Sequence, residues 1–92
     1  MEYCIINKIE YINNQIVYTE IGYTTDMNEC QLINETYYSD FKNWIDENKT
    51  DLENGTKSIS EFFQNNPKVY EANMQTTSID GMNLNLITFS DL

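Results

Sequence analysis

Across residues 3–23 apolar and polar side chains are interspersed, and Tyr, Ile and Val gather on both sides of Asn13-Asn14. β-Branched and aromatic residues suit a pleated surface and Asn tolerates the positive φ of a tight turn, so the segment is predicted to be a β-hairpin. A two-residue loop sets its register. Ile5, Ile9, Tyr11, Ile16 and Tyr18 then share one face, the expected core, while Lys8, Glu10, Gln15 and Thr19 share the other.

Near Thr25 the period changes, and Cys30, Ile33, Tyr37, Phe41, Trp44 and Asn48 follow at the helical steps of three or four. Asp26 is the expected cap and Glu29 its capping-box partner. Thr36, Tyr37, Tyr38 and Ser39 are weak helix formers placed together, so a break is expected near 35–38 within the helical stretch 27–53. Gly55 ends that stretch. Ser58-Ile59-Ser60-Glu61 opens a short helix that turns Ile59, Phe62 and Phe63 inward, and Asn66-Pro67 stops it.

The last predicted element is a second hairpin, residues 68–79 and 82–90, joined at Asp80-Gly81. Tyr70, Ala72, Met74, Ile87 and Phe89 fall on one face, with Ile79, Met82, Leu84 and Leu86 on the other. A hairpin apolar on both sides is covered twice by its own chain or offers one face to another chain, which points to a homodimer. The order ββ–αα–ββ packs into an α+β fold, an antiparallel sheet with helices on one face. At 92 residues the chain makes one domain, 1–92.

Composition then changes the question from fold to partner. Fifteen acids face five lysines, without arginine or histidine, for a formal charge of −10. Self-repulsion on that scale weakens a compact state, and a small domain that tolerates it has a use for the field. Affinity for phosphate needs Lys and Arg, so nucleic-acid binding is disfavoured. The N-terminus lacks a basic, apolar leader or anchor, and Cys4 and Cys30 are too few for a disulfide framework, so the expectation is a soluble cytoplasmic protein with reduced thiols.

Catalysis finds little support, since no histidine is present and no nucleophile has a recognisable base partner. Asp46 and Glu47 could in principle form a carboxylate pair, but adjacent acids on a helix usually make a solvated face. A calcium loop aligned on Gly55 and Glu61 fails at its first ligands, where Thr50 and Leu52 stand. Neither a metal nor a cofactor is implied.

The acids themselves are the candidate site. Residues 26–53 hold eight of them, Asp26, Glu29, Glu35, Asp40, Asp46, Glu47, Asp51 and Glu53, against two lysines. Asp40, Asn43, Glu47 and Asp51 fall at helical steps opposite the Phe41–Trp44 stripe, with Asp46 and Glu53 flanking them. Duplex DNA carries one negative charge per about 1.7 Å of axis, and carboxylates in rows approach that spacing. In size, acidity, absence of His and Arg, and Ile/Asn/Tyr-rich composition the chain resembles the anti-restriction DNA-mimic proteins of bacteriophages. The resemblance covers overall character rather than an alignable motif. It implies a partner that is a basic DNA-binding host protein, such as a restriction enzyme, nucleoid protein or CRISPR effector, in a bacterial host cytoplasm. Two other classes stand beside it. An immunity protein against a nuclease toxin would use an acidic patch around exposed aromatics, with Tyr37, Tyr38 and Trp44 as anchors. An adaptor would offer a strand edge with Leu84 and Leu86 outward.

Overall fold

The computed structural model describes residues 2–78 and 83–92. It is an α+β fold, with an antiparallel sheet in the strand order β2-β1-β3. Strands β1 (Tyr3–Ile12) and β2 (Gln15–Thr24) form the expected hairpin. Asn13 and Asn14 both have positive φ, 53° and 64°, the handedness that matches a right-twisted hairpin. Ile12 pairs with Gln15 and Ile9 with Tyr18, the register set by that turn. Between Ile6 and Asn7 the partner jumps from Gly22 to Glu20, so β2 carries a bulged residue at Ile21.

A nearly continuous helical rod follows: α1 (Met27–Ile33), a π turn (Asn34–Tyr38), α2 (Ser39–Glu47) and α3 (Lys49–Glu53). Residues 34–38, which span the stretch near 35–38 where a break was expected, form a π turn that leaves the rod nearly continuous. The Asn34 carbonyl accepts both the Ser39 N–H and, at 3.1 Å, the Ser39 hydroxyl, the local insertion that marks a π bulge. At 1.5 Å per residue, residues 27–53 reach about 40 Å, close to the 45 Å long axis of the molecule. Helix α4 (Ser60–Asn65) and strand β3 (Tyr70–Gln75) complete the elements, with a 3-10 turn at Phe89–Asp91.

Alternation along β1 explains how this rod packs. Cys4 and Ile6 lie on one face of the sheet, and with Ala72, Tyr70, Cys30 and Ile33 they form one buried cluster. Ile9 lies on the opposite face and clusters with Phe41, Phe62 and Val69. Helix α1 therefore covers one face at the open end of the hairpin, and α2 with α4 covers the other face toward the turn. The expectation of helices on a single face is corrected to this divided cover. Its cause is legible in the chain: Cys4 and Ile6 give way to Lys8 and Glu10 on the first face, while Ile9 and Tyr11 continue the second.

The rod changes faces by passing the outer edge of β3, and Asn34 sits at the crossing. Its carboxamide donates to the Ala72 carbonyl at 3.0 Å and accepts the Ala72 N–H at 2.9 Å. One side chain thus satisfies both edge groups of a strand residue, as a neighbouring strand would.

Among the described residues the C-terminal arms do not pair with each other, as the second predicted hairpin required, but take opposite outer edges of the sheet, the later one parallel to β2. Strand β3 pairs with β1, Lys8 opposite Tyr70 and Ile6 opposite Ala72. The later arm lies on the far edge of β2, where the Tyr23 N–H donates to Asn85 at 3.0 Å and the Tyr23 carbonyl accepts from Ile87 at 2.9 Å. The Asp80-Gly81 turn, with Ile79 and Met82, lies outside the described residues. Gly22 makes the approach possible, because a Cβ there would meet the Asn85 carbonyl oxygen at 2.7 Å and Ile87 at 2.8 Å. Ile87 and Phe89 pack on the first cluster with Tyr70 and Ala72, as the face assignment expected, but Met74 is exposed.

Cys4 and Cys30, expected to remain thiols, form a disulfide with Cα atoms 6.3 Å apart. Their 26-residue separation hides what the hairpin does, which is to bring the start of β1 beneath the first turns of α1, within disulfide reach.

Candidate functional site

The eight acids divide by what each carboxylate already does. Asp26 caps α1, accepting the Asn28 N–H at 2.9 Å. Glu29 does not close the expected capping box; its Oε2 reaches across the fold and accepts the Phe89 N–H at 3.1 Å. Glu35 accepts the Gln31 carboxamide at 2.9 Å. Asp51 serves the turn after α3, taking the Thr56 hydroxyl at 3.1 Å and lying 3.9 Å from Lys57. Sequence pattern anticipated the Asp26 cap but could not separate the duties of Glu29, Glu35 and Asp51 from free charge, because helical spacing says where a side chain points and not what comes to meet it.

Asp40, Asp46, Glu47 and Glu53 are exposed, and among the described residues no salt bridge or side-chain hydrogen bond engages them. Lys42 and Lys49 stand four residues before Asp46 and Glu53, the spacing of a helical ion pair, yet neither pair closes. Asp40 and Glu47 lie on the other flank of the rod, away from both lysines. From Asp40 to Glu53 the four span about 20 Å of helix. Phe41 is buried, about 100–140° around the helix from them, and Trp44 is half-buried against Phe62, at a ring separation of 5.8 Å. Trp44 is therefore part of the core's rim.

A second acidic group was missed in the sequence. Cross-strand pairing aligns Glu20, Asn7 and Glu71 in one row on the face that α2 covers. Asn7 donates to Glu71 at 3.4 Å, and Tyr38 lies close enough to Glu71 to feel its charge. Burial raises the Tyr38 pKa above its ordinary value, and the negative charge of Glu71, with smaller contributions from Tyr18 and Asp46, raises it further. Burial followed by Glu71 raises Tyr18 as well. These residues come from β1, β2, β3 and the helical rod, so only the register of three strands reveals them. Tyr18, expected in the core, is 53% exposed. Tyr37, by contrast, packs edge-on to Tyr70 at 5.2 Å on the other face.

An open groove of about 400 Å³ runs beside the disulfide, lined by Met27, Gln31, Asn34, Ala72 and Met74. Its polar groups are already committed to one another or to β3, which leaves no convergent donors for a reacting group. Among the described residues no three His, Cys, Asp or Glu side chains gather as a metal site requires. No described helix is long and apolar enough to cross a membrane. No protein-family model, curated protein or solved structure matches the chain, so the functional reading rests on these residues.

Proposed function

We propose that the protein is a phage-type anti-defence inhibitor that mimics DNA, its acidic helical rod occupying the DNA-binding site of a basic host protein. The observation that supports this most is the run of exposed carboxylates without ion pairs, Asp40, Asp46, Glu47 and Glu53, on a rod held rigid by cores on both sheet faces. A surface kept acidic only for solubility gains from interspersed opposite charge; the Asp40–Glu47 flank has none. No chemistry is performed in this reading. Inhibition comes from occupying a surface that would otherwise bind phosphates.

Affinity capture from bacterial lysate, followed by elution with duplex DNA, tests the proposal. Recovery of basic DNA-binding proteins that DNA displaces is the expected result. The complex should weaken steeply with salt, because the screening length falls from about 10 Å at 0.1 M to about 3 Å at 1 M. Binding that is indifferent to salt overturns the reading. Such targets lie in the bacterial cytoplasm, where structural disulfides are rare, and the Cys4–Cys30 bond counts against that placement. Alkylation of the protein in intact cells before lysis, read by mass spectrometry, decides between thiol and disulfide there.

One observation favours a second reading. Tyr18 and Tyr38 beside Glu20, Glu71 and Asp46 make an acidic patch around aromatics, the composition of an interface that neutralises a nuclease toxin. Capture of one nuclease, abolished by Tyr18→Ala and unaffected by neutralising Asp40 and Glu47, selects that reading over mimicry.

A further inference from the structure

Of the asparagines in this chain, Asn54 alone is followed by glycine. The pairing has a local cause. Helix α3 ends with Asn54 as its C-cap, and Gly55 takes a φ of 80°, the left-handed conformation that glycine supplies after a helix. It also has a chemical consequence, because attack of the Gly55 amide nitrogen on the Asn54 side-chain carbon, Cγ, closes a five-membered ring. No side chain shields that nitrogen, and a Cβ on Gly55 would meet nothing within 4 Å. Asn54, Gly55 and Thr56 are all exposed.

The Asn54 carboxamide is held as an electrophile. Its Oδ1 accepts the Thr56 N–H at 3.0 Å and the Thr56 hydroxyl at 2.8 Å. Two donors on one carbonyl oxygen draw electron density from Cγ and stabilise negative charge that arrives on that oxygen. Thr56 is fixed in turn by Asp51, whose carbonyl accepts its N–H at 2.9 Å. Other asparagines are held differently. The carboxamide nitrogens of Asn34, Asn48 and Asn66 are tied to the carbonyls of Ala72, Trp44 and Phe62, and Glu35, Lys49 and Pro67 follow them.

We propose that Asn54 is a site of spontaneous deamidation in the folded protein, with the Gly55 nitrogen as nucleophile and Thr56 as the donor to the developing oxyanion. The Gly55 nitrogen loses its proton to solvent hydroxide and bonds to Cγ as rotation about the Asn54 Cα–C bond, now at ψ 0°, brings the two together. The tetrahedral carbon then collapses. Its bond to Nδ2 breaks, and Nδ2 takes a proton from water and leaves as ammonia. Water opens the resulting cyclic imide at either carbonyl: attack at Cγ gives aspartate, and attack at the main-chain carbonyl gives isoaspartate. Water is the only co-reactant, and nothing is oxidised or reduced.

Either product adds one negative charge to the −10 of the chain, beside Glu53 and at a helix C-terminus, where the dipole disfavours it. Isoaspartate also inserts a carbon into the main chain between α3 and Thr56, which loosens the contacts of Thr56 with Asp51. On the DNA-mimic reading the new carboxylate extends the acidic rod by one position, but the reaction itself does not depend on that reading.

Peptide mapping by mass spectrometry, after incubation of the folded full chain at neutral and mildly alkaline pH, tests this without any partner. The expected result is loss of ammonia at Asn54, giving aspartate and isoaspartate, faster at the higher pH because the attacking nitrogen must lose its proton, while Asn34 and Asn48 remain amides. Thr56→Val removes the hydroxyl and should slow the reaction in the folded protein by at least about twofold, the low end of the net worth of one hydrogen bond. In urea, where the turn is lost, the two chains should react alike. Thr56→Ser keeps the hydroxyl and should restore the wild-type rate; Thr56→Ala serves if the valine variant does not fold. An Asn54 that remains an amide in the folded wild type while it reacts in urea overturns the proposal, since the turn then protects the carboxamide. So does a folded Thr56→Val or Thr56→Ala variant that reacts as fast as the wild type.

Discussion

Removing the Asn34 carboxamide should cost this fold more than its size suggests. Asn34→Ala deletes two hydrogen bonds, of 2.9 and 3.0 Å, each with a net contribution of about 1 kcal/mol. It also strands the N–H and C=O of Ala72, a residue only 8% exposed, and an unsatisfied buried group costs about 1–3 kcal/mol. Partial access of water to the groove lowers that penalty, so the expected loss is about 2–4 kcal/mol, a large share of the 5–15 kcal/mol typical of a small domain. Asn34→Asp separates the two halves of the clasp. It retains an acceptor for the Ala72 N–H but turns a carboxylate oxygen toward the Ala72 carbonyl; below about pH 3.9 the protonated acid can donate again, and its deficit relative to Asn should shrink. Urea denaturation of wild type and both variants measures the costs, with Asn43→Ala on the exposed flank as a control expected within about 0.5 kcal/mol. Hydrogen exchange at the Ala72 amide reports the clasp itself. A cost for Asn34→Ala below about 0.5 kcal/mol, with Ala72 exchange unchanged, would refute the reasoning that this side chain carries the rod across the sheet edge.

Neutralising Asp40, Asp46 and Glu47 to Asn, Asn and Gln should weaken partner binding by at least about tenfold, or about 1.4 kcal/mol, without lowering the melting temperature, because these groups make no internal bond and their loss relieves self-repulsion; calorimetry of binding and of unfolding reads both. Phe41→Ala should cost about 3–5 kcal/mol, and Trp44→Ala, at the half-buried rim, clearly less, a ranking that denaturant titration checks. Reducing Cys4–Cys30 reopens a loop of 26 residues and should lower stability by about 3.5 kcal/mol on the chain-entropy estimate, measured by denaturation with and without reductant. For Tyr38 the folded-state pKa is raised above the unfolded value of 10.0; its contribution is therefore complete below pH 10.0 and falls as pH rises toward the folded pKa. Tyr38→Phe should flatten that part of the alkaline stability profile.

Local chemistry alone determined the first hairpin, because adjacent asparagines at positive φ with a two-residue loop leave one register, and Ile12–Gln15 through Asn7–Glu20 follow it. It also determined the α4 helix with Phe62 inward, the amphipathic rod and its acidic flank, since a period of 3.6 residues places Asp40 and Glu47 side by side, about 100–120° around the helix from Phe41, wherever the helix lies. Tertiary structure decided what those elements touch. That Glu29 and Asp51 are spent on backbone and turn contacts, that Glu71 joins Glu20 and Tyr38, and that Cys4 meets Cys30 all depend on contacts between residues distant in the chain or on how a turn closes, whereas the Asp26 cap is local and was legible in the sequence. So does the passage of the rod past the edge of β3, where a single asparagine meets Ala72 across 38 residues. Periodicity orients a side chain relative to its own element; only the packing of one element on another chooses its partner.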